Sequence, residues 1–243
     1  MHRFFVHETD IQKGTAWIAG EDVKHIAKVL RLGPGDLLSL CNGQGMDYTA
    51  RIDCIEKERV RLSIIQSAPC PAEPVHRVTL YQGLPKAGKM ETIIQKCVEL
   101  GACAFVPINA QRSVVKITPQ DFRKKIPRYQ RVAYEAAKQS GRGIIPQISD
   151  LSTFAGADMT GHDLILIADE EEHATSLRDI LQTQDAVSDI ALVIGPEGGL
   201  DRAEVAALVQ KGGRCLTLGP RILRTETAGM AALAMILYAL EDM

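Results

Sequence analysis

Residues able to do chemistry concentrate in two glycine- and proline-rich stretches near the C-terminal end of the chain. The first, Gly195-Pro196-Glu197-Gly198-Gly199-Leu200, follows the apolar run Ile190–Ile194. The second, Leu218-Gly219-Pro220-Arg221-Ile222-Leu223-Arg224-Thr225-Glu226-Thr227-Ala228, follows Leu216-Thr217. Each has the same order: an apolar run, glycine and proline, then a helix start. Apolar runs bounded in this way read as buried strands, and ligands in open α/β sheets bind beyond the carboxyl ends of such strands. Two such loops in succession point to one composite pocket built largely from backbone. Ordinary strand-to-helix turns use the same residues. Yet Gly195, Gly198 and Gly199 exceed the need of one turn, and glycine's entropic cost is usually offset by close backbone approach to something. Arg221, Arg224 and Glu226 beside an uncharged helix add to that excess.

A third stretch imitates a different chemistry. Gly83-Leu84-Pro85-Lys86-Ala87-Gly88-Lys89-Met90 fits a phosphate-binding P-loop at every position but the last, and Leu164 to Glu170 resembles its companion acidic strand. Met90 stands where a hydroxyl must coordinate Mg²⁺, and a thioether does not replace that hard ligand. Pro85 also removes one N–H from the cradle. Nucleotide hydrolysis is therefore disfavoured.

The elements that must position these loops follow from periodicity. Residues 1 to about 70 read as a small β-rich domain: a strand at Phe4-Phe5-Val6, a helix from Glu21 to Leu32, a turn at Gly33–Asp36, then strands at Leu37–Leu40, Asp47–Ile52 and Arg59–Ile64. Several short strands with glycine-rich turns suggest a small barrel. Pro69, Pro71 and Pro74 mark a linker, after which strands and helices alternate as in an α/β domain with a mainly parallel sheet. Strands are expected at Val78–Gln82, Phe105–Ile108, Asp163–Asp169 and Ile190–Ile194, with a short one at Leu216. Helices are expected at Met90–Leu100, from Thr118 as N-cap, at Ser176–Gln182, at Asp201–Gln210 and over the Ala/Met/Leu-rich end. Pro127 must break the Thr118 helix or restart it.

Between Pro119 and Arg142 stand seven cations (Arg123, Lys124, Lys125, Arg128, Arg131, Lys138, Arg142) against two acids (Asp121, Glu135). Such an excess suits a polyanion and equally suits a solvated helix face. Phe122, Tyr129 and Tyr134 favour RNA, whose unstacked bases pack on aromatic rings. The basic helix edge with His25 offers a further phosphate contact, although solvation explains that edge as well.

Over 243 residues the composition is that of a globular protein, 46% hydrophobic and 24% charged. A net charge of -2 excludes a uniformly basic nucleic-acid binder without speaking to local basic faces. The six cysteines contain no CxxC pair and no leader pattern precedes them, so reduced thiols in a cytoplasmic protein without a zinc site are expected. The uncharged stretch Ala228–Leu240 is too short for a confident membrane span.

The chain resembles the family of small-subunit ribosomal RNA uridine-N3 methyltransferases within the SPOUT superfamily. The resemblance is carried by His2-Arg3-Phe4-Phe5-Val6, His25 with Val29-Leu30-Arg31, Leu84-Pro85-Lys86, Gln95-Lys96 with Glu99-Leu100-Gly101, Glu135-Ala136-Ala137 with Gln139-Ser140-Gly141-Arg142, and the two glycine-rich loops. Gly88-Lys89 departs from it, in a loop that varies within the family. The resemblance implies an α/β protein with a PUA-like β-barrel domain over residues 1–71 that helps hold RNA. It implies a SPOUT methyltransferase domain over 72–243 that threads a trefoil knot. It further implies a homodimer acting on 16S ribosomal RNA of the small ribosomal subunit, with S-adenosyl-L-methionine as cofactor.

On this resemblance the cofactor would lie against Ile194, Gly195, Pro196, Glu197, Gly198 and Gly199, and against Leu218, Gly219, Ile222, Leu223, Arg224, Thr227 and Ala228. Arg224 or Arg142 would stabilise the developing uracil oxyanion, with Glu197 and Glu226 as candidates for general base or for orienting those arginines. Arg3, His25, Arg31, Lys86, Arg128, Arg131, Gln139 and Arg142 would contact RNA. The competing class is a non-catalytic RNA-binding or assembly protein, which has no need of the double loop.

Overall fold

The computed structural model describes residues 1–86, 88–184 and 187–243. The chain divides into two compact units: Met1–Glu73 with Ala137–Ile145, and Pro74–Ala136 with Pro146–Met243.

In the first unit, β1 (Arg3–Phe5), β2 (Ile11–Gln12), β3 (Thr15–Ala19), β4 (Leu37–Cys41), β5 (Met46–Ile55) and β6 (Arg59–Pro69) form one sheet in the order β1-β4-β5-β6-β3-β2. Only β1 and β4 pair in parallel. Register shifts between Thr49 and Ala50 and between Ile52 and Cys54 mark irregularities of the β5–β6 ladder; such bulges bend the bulged strand and curl a sheet. Alternation sets which face is covered: Val60 and Leu62 are buried while Arg59 and Arg61 are exposed. The helix expected at Glu21–Leu32 begins as α1 (Glu21–Lys24) and continues as a π-helical turn over His25–Val29. Val23 and Ile26 point into the core with Phe4, Leu38 and Leu40.

The second unit carries a fully parallel six-stranded sheet. Its elements in chain order are β7 (Arg77–Gly83), α2 (Lys89–Leu100), β8 (Ala104–Ile108), α3 (Pro119–Arg123), α4 (Ile126–Ser140, crossing the division at residue 136), β9 (Gln147–Ile148), β10 (Leu164–Ala168), α5 (Leu177–Leu181), β11 (Asp189–Ile194), α6 (Arg202–Gln210), β12 (Arg214–Leu216) and α7 (Thr225–Ala239). The strand order is β12-β10-β11-β7-β8-β9. Ile190 to Ile194 are all buried, as a strand covered on both faces requires. Thr118 caps α3 by accepting the Asp121 N–H at 3.1 Å, and the chain breaks at Lys124-Lys125 before Pro127 enters the first turn of α4. Asp201 and Glu204 form the capping box of α6, as Ser176 and Asp179 do for α5. β12 ends at Leu216, where the sequence suggested it would begin. Among the described residues no helix is long and apolar enough to cross a membrane.

Candidate functional site

Because β12, β10 and β11 are neighbours and run parallel, their carboxyl ends lie side by side. Each opens into a loop, so three loops rather than two meet there: residues 169–173 after β10, 195–200 after β11 and 217–224 after β12. Together they line a cavity of about 720 Å³. All of the residues expected to hold a cofactor line it except Thr227, which is exposed in the first turn of α7 with its N–H on the Arg224 carbonyl.

Two polar ties fix the loops to one another. The buried Thr225 hydroxyl, at the start of α7, donates to the Gly195 carbonyl at 2.6 Å and accepts from Gln82 Nε2 at 2.9 Å. Gln82 Nε2 also donates to the Gly83 carbonyl at 3.0 Å, so the end of β7 joins the same knot of bonds. The second tie is ionic: Lys89 Nζ lies 3.0 Å from Glu197 Oε1 and 3.0 Å from Glu226 Oε2. The Lys86 N–H adds a bond to Glu197 Oε1 at 3.0 Å. Burial pushes the Glu197 carboxyl up. The Lys86 N–H, Glu197's own N–H and the Lys89 ammonium outweigh that, and hold it below its ordinary value. Glu226 is lowered in the same way, burial being outweighed by its own N–H, Lys89 and Arg224.

Two glycines are dictated by space and backbone. A Cβ on Gly83 would lie 2.6 Å from both N and Cδ of Pro196, so the end of β7 and the first loop touch backbone to backbone. Gly199 has φ +71°, and a Cβ there would run into the Glu170 carboxylate.

The RNA methyltransferase domain family matches residues 71–237, and the RNA methyltransferase PUA domain family matches 18–65. The chain is 38% identical to ribosomal RNA small subunit methyltransferase E of Bacillus subtilis, over 99% of this chain and 98% of that protein. The chain belongs to the ribosomal RNA small subunit methyltransferase E family. Among solved structures it is similar to the Neisseria gonorrhoeae family member bound to S-adenosyl methionine, at 30% identity, TM-score 0.82 and 98% coverage of both chains. It is likewise similar to a Legionella pneumophila chain in complex with the bound cofactor SAM, at 30% identity and TM-score 0.79, covering 98% of this chain and 97% of that one.

In this methyltransferase the third loop is the part that sequence reading did not assign to the site. Asp169 is buried and paired by both carboxylate oxygens with Arg202, at 2.9 and 2.8 Å, while Glu170 and His173 face the cavity. The only sequence signal was the acidic run Asp169–Glu172 at a strand end. Gln82, Gly83, Lys89 and Thr225 were missed as well. Lys89, which the P-loop likeness would place on a phosphate, is held by two carboxylates, and Met90 is buried in the core. Ala87 of that stretch lies outside the described residues.

The candidate catalytic residues Arg224, Glu197 and Glu226 come together in the second unit. Arg142 belongs to the first, where it is 2% exposed and its guanidinium meets Glu73 at 2.6 and 3.2 Å. Of the expected RNA contacts, Arg3 is likewise engaged, pairing with Asp47 at 2.6 and 2.8 Å and donating to the Arg142 carbonyl at 3.0 Å. His25, Arg31 and Gln139 are exposed in the first unit. In the second, Lys86 and Arg128 line one small recess, and Arg131 pairs with Glu135 at 2.7 Å.

Proposed function

We propose that this chain transfers a methyl group from S-adenosylmethionine to N3 of a uridine in the RNA of the small ribosomal subunit. The observation that carries the reading is the single pocket enclosed by three neighbouring strand ends in a chain of this family. The pocket suits the methyl donor. Its 720 Å³ falls within the range of small-molecule sites, roughly 300–1,000 Å³. Its lining carries the Glu170 carboxylate and the cations Arg221 and Arg224, charges of both signs as a zwitterionic ligand requires. Ile222, also in that lining, is 89% exposed, an aliphatic surface available to an apolar ligand face.

When bound, the donor supplies a methyl carbon already activated by its sulfonium. The chain's own residues hold and orient. Backbone of 194–200 and 218–224 forms the cradle, and the Lys89 and Thr225 ties keep the two loops in fixed relation. A uridine N3–H is a poor nucleophile until its proton leaves, here to solvent water, and Arg224 stabilises the negative charge that then develops on the uracil oxygens. A general base works best with a pKa near the operating pH. Glu197 and Glu226 are lowered instead, and each lies 3.0 Å from the Lys89 ammonium, so they serve as anchors for Lys89, with Glu226 also feeling the charge of Arg224. Arg142, committed to Glu73, serves the fold.

The same reading gives the first unit a PUA-like barrel that holds RNA through His25, Arg31 and Gln139. It gives the segment 217–239 a trefoil knot, supported by its passage from β12 at the sheet edge to a helix packed on β7, β11 and α2. The chain works in the cytoplasm as a homodimer, supported by Met235 and Tyr238 exposed on the otherwise apolar α7. The deciding experiment incubates the protein and labelled donor with small subunits from a strain lacking the modification, then maps the nucleotide. Label on a uridine N3 is expected. Absence of label in the RNA, with RNA binding intact, would leave a non-catalytic RNA binder.

A further inference from the structure

A second cavity in the same unit has no part in the donor pocket. It measures about 250 Å³, about a third of the 720 Å³ of the larger one, and is too small for the whole donor. Three segments enclose it: the chain after β7, the first turn of α2, and residues 115–129. Its floor is apolar, with Leu84, Met90 and Phe122 buried and the Phe122 and Tyr129 rings 5.9 Å apart. Its rim is cationic, carrying Lys86, Lys125 and Arg128, all exposed. Glu91 is the sole acid in the lining and is taken up by Arg128 at 2.9 Å. Among the described residues no carboxylate pairs with Lys86 or Lys125.

An apolar recess floored by aromatic rings and edged by spare ammonium groups has the chemistry of a nucleotide site. The base enters the recess and its phosphates meet the rim. A paired base cannot enter, so the occupant is unpaired. Lys86 and Lys89, the first residue of α2, also reach the donor pocket, through the Lys86 N–H and the Lys89 ammonium on Glu197. One wall therefore serves both cavities. We propose that this recess takes an unpaired nucleobase of the substrate RNA, with the adjoining phosphates on Lys86 and Lys125. The proposal rests on the RNA-methylating reading given above.

The test measures fluorescence anisotropy of a short, labelled, uridine-containing single-stranded RNA on the full chain. Ile117→Trp fills the recess from a half-buried position. It is expected to weaken RNA binding about fivefold, the lower end of the loss when one stacked base is removed. Lys125→Ala alters only an exposed side chain, and is expected to lower the slope of log affinity against log salt by about 0.7, one phosphate contact on a single strand. Both variants are expected to keep calorimetric S-adenosylmethionine affinity and melting temperature. RNA affinity and salt slope equal to those of the unaltered chain in both variants would overturn the proposal, while labelled-methyl transfer by the unaltered chain would keep the methylation reading. The reverse pattern, with RNA binding lost in the variants but no transfer by the unaltered chain, supports the recess and sinks the methylation reading. Transfer to assembled subunits lost while RNA affinity stays unaltered would give the recess to a protein partner and overturn the proposal.

Discussion

Thr225 Oγ1 donates to the Gly195 carbonyl at 2.6 Å, and that one bond fastens the start of the terminal helix to the loop after β11. Thr225→Val keeps the shape and removes the hydroxyl. It leaves the Gly195 carbonyl without that donor and Gln82 Nε2 with one acceptor fewer. Leaving a buried polar group unsatisfied costs about 1–3 kcal/mol. Thermal unfolding is expected to show that loss, and calorimetry a several-fold weaker hold on S-adenosylmethionine. Thr225→Ser should restore both. A valine variant that binds the donor as the threonine protein does would mean that the two loops need no such tie.

Lys89 predicts a pH dependence. The Glu197 and Glu226 carboxyls lie below their ordinary value of 4.5. Groups depressed in the folded state add stability that is fully present above the unfolded value and is lost as pH falls through the folded one. The tie should therefore hold at neutral pH and fail in acid, below 4.5, as the carboxyls protonate, and again in alkali, above 10.5, as the Lys89 ammonium raised by its two carboxylates loses its proton. In Lys89→Met the burial that raises both carboxyls remains while a main opposing charge is gone, so acid loosening begins at higher pH. Melting temperature recorded against pH for both proteins checks this. Superimposable curves would show that Lys89 bears no part of the loop geometry.

How far the site was legible depended on whether its signals were local. The apolar runs of β10 and β11 and the caps at Thr118 and Asp201 are written within a few residues each, and both glycine-rich loops do line one cavity. The third loop, Asp169–His173, joins them only because β10 lies between β11 and β12, a pairing between distant segments with no local mark. Gly83 is explained only by Pro196, more than a hundred positions away, and Lys89 only by its two carboxylates. In the first unit, β2 has two residues, too few for periodicity to declare it, whereas β3 alternates buried Ala16 and Ile18 with less buried Thr15 and Trp17 and was overlooked. Residues 137–145 join that unit through such long-range bonds as Arg142 to Glu73.

Gly83→Ala tests the backbone contact between β7 and the loop at 195–200. The new Cβ would meet Pro196 N and Cδ at 2.6 Å, atoms of a ring and main chain with no rotamer to retreat into. Either β7 or the 195–200 loop must move, at an overpacking cost of about 1–3 kcal/mol. β7 is paired with a strand on each side and the loop is not, so the loop yields first, and donor affinity should fall at least about fivefold while RNA binding is kept. A drop in melting temperature with donor affinity unchanged would show that β7 yields instead.

Arg142 and Glu73 set a structural role against a catalytic one. Arg142 is almost wholly buried, and the Glu73 carboxylate also accepts the Gly143 and Ile144 N–H groups at 2.7 and 2.9 Å. Glu73→Leu takes the carboxylate from a buried cation, a loss of about 3–5 kcal/mol for pairs of this kind. Replacing both partners by apolar side chains of similar volume is less costly, since the desolvation of two charges disappears with them and only the Gly143 and Ile144 N–H groups lose their acceptor. The double variant Glu73→Leu with Arg142→Met is therefore expected to unfold at a higher denaturant concentration than Glu73→Leu alone. Methyl transfer is the discriminating readout. If Arg142 serves only the fold, the double variant recovers transfer along with stability. A double variant as stable as the unaltered chain that transfers no methyl groups would return Arg142 to the reacting base.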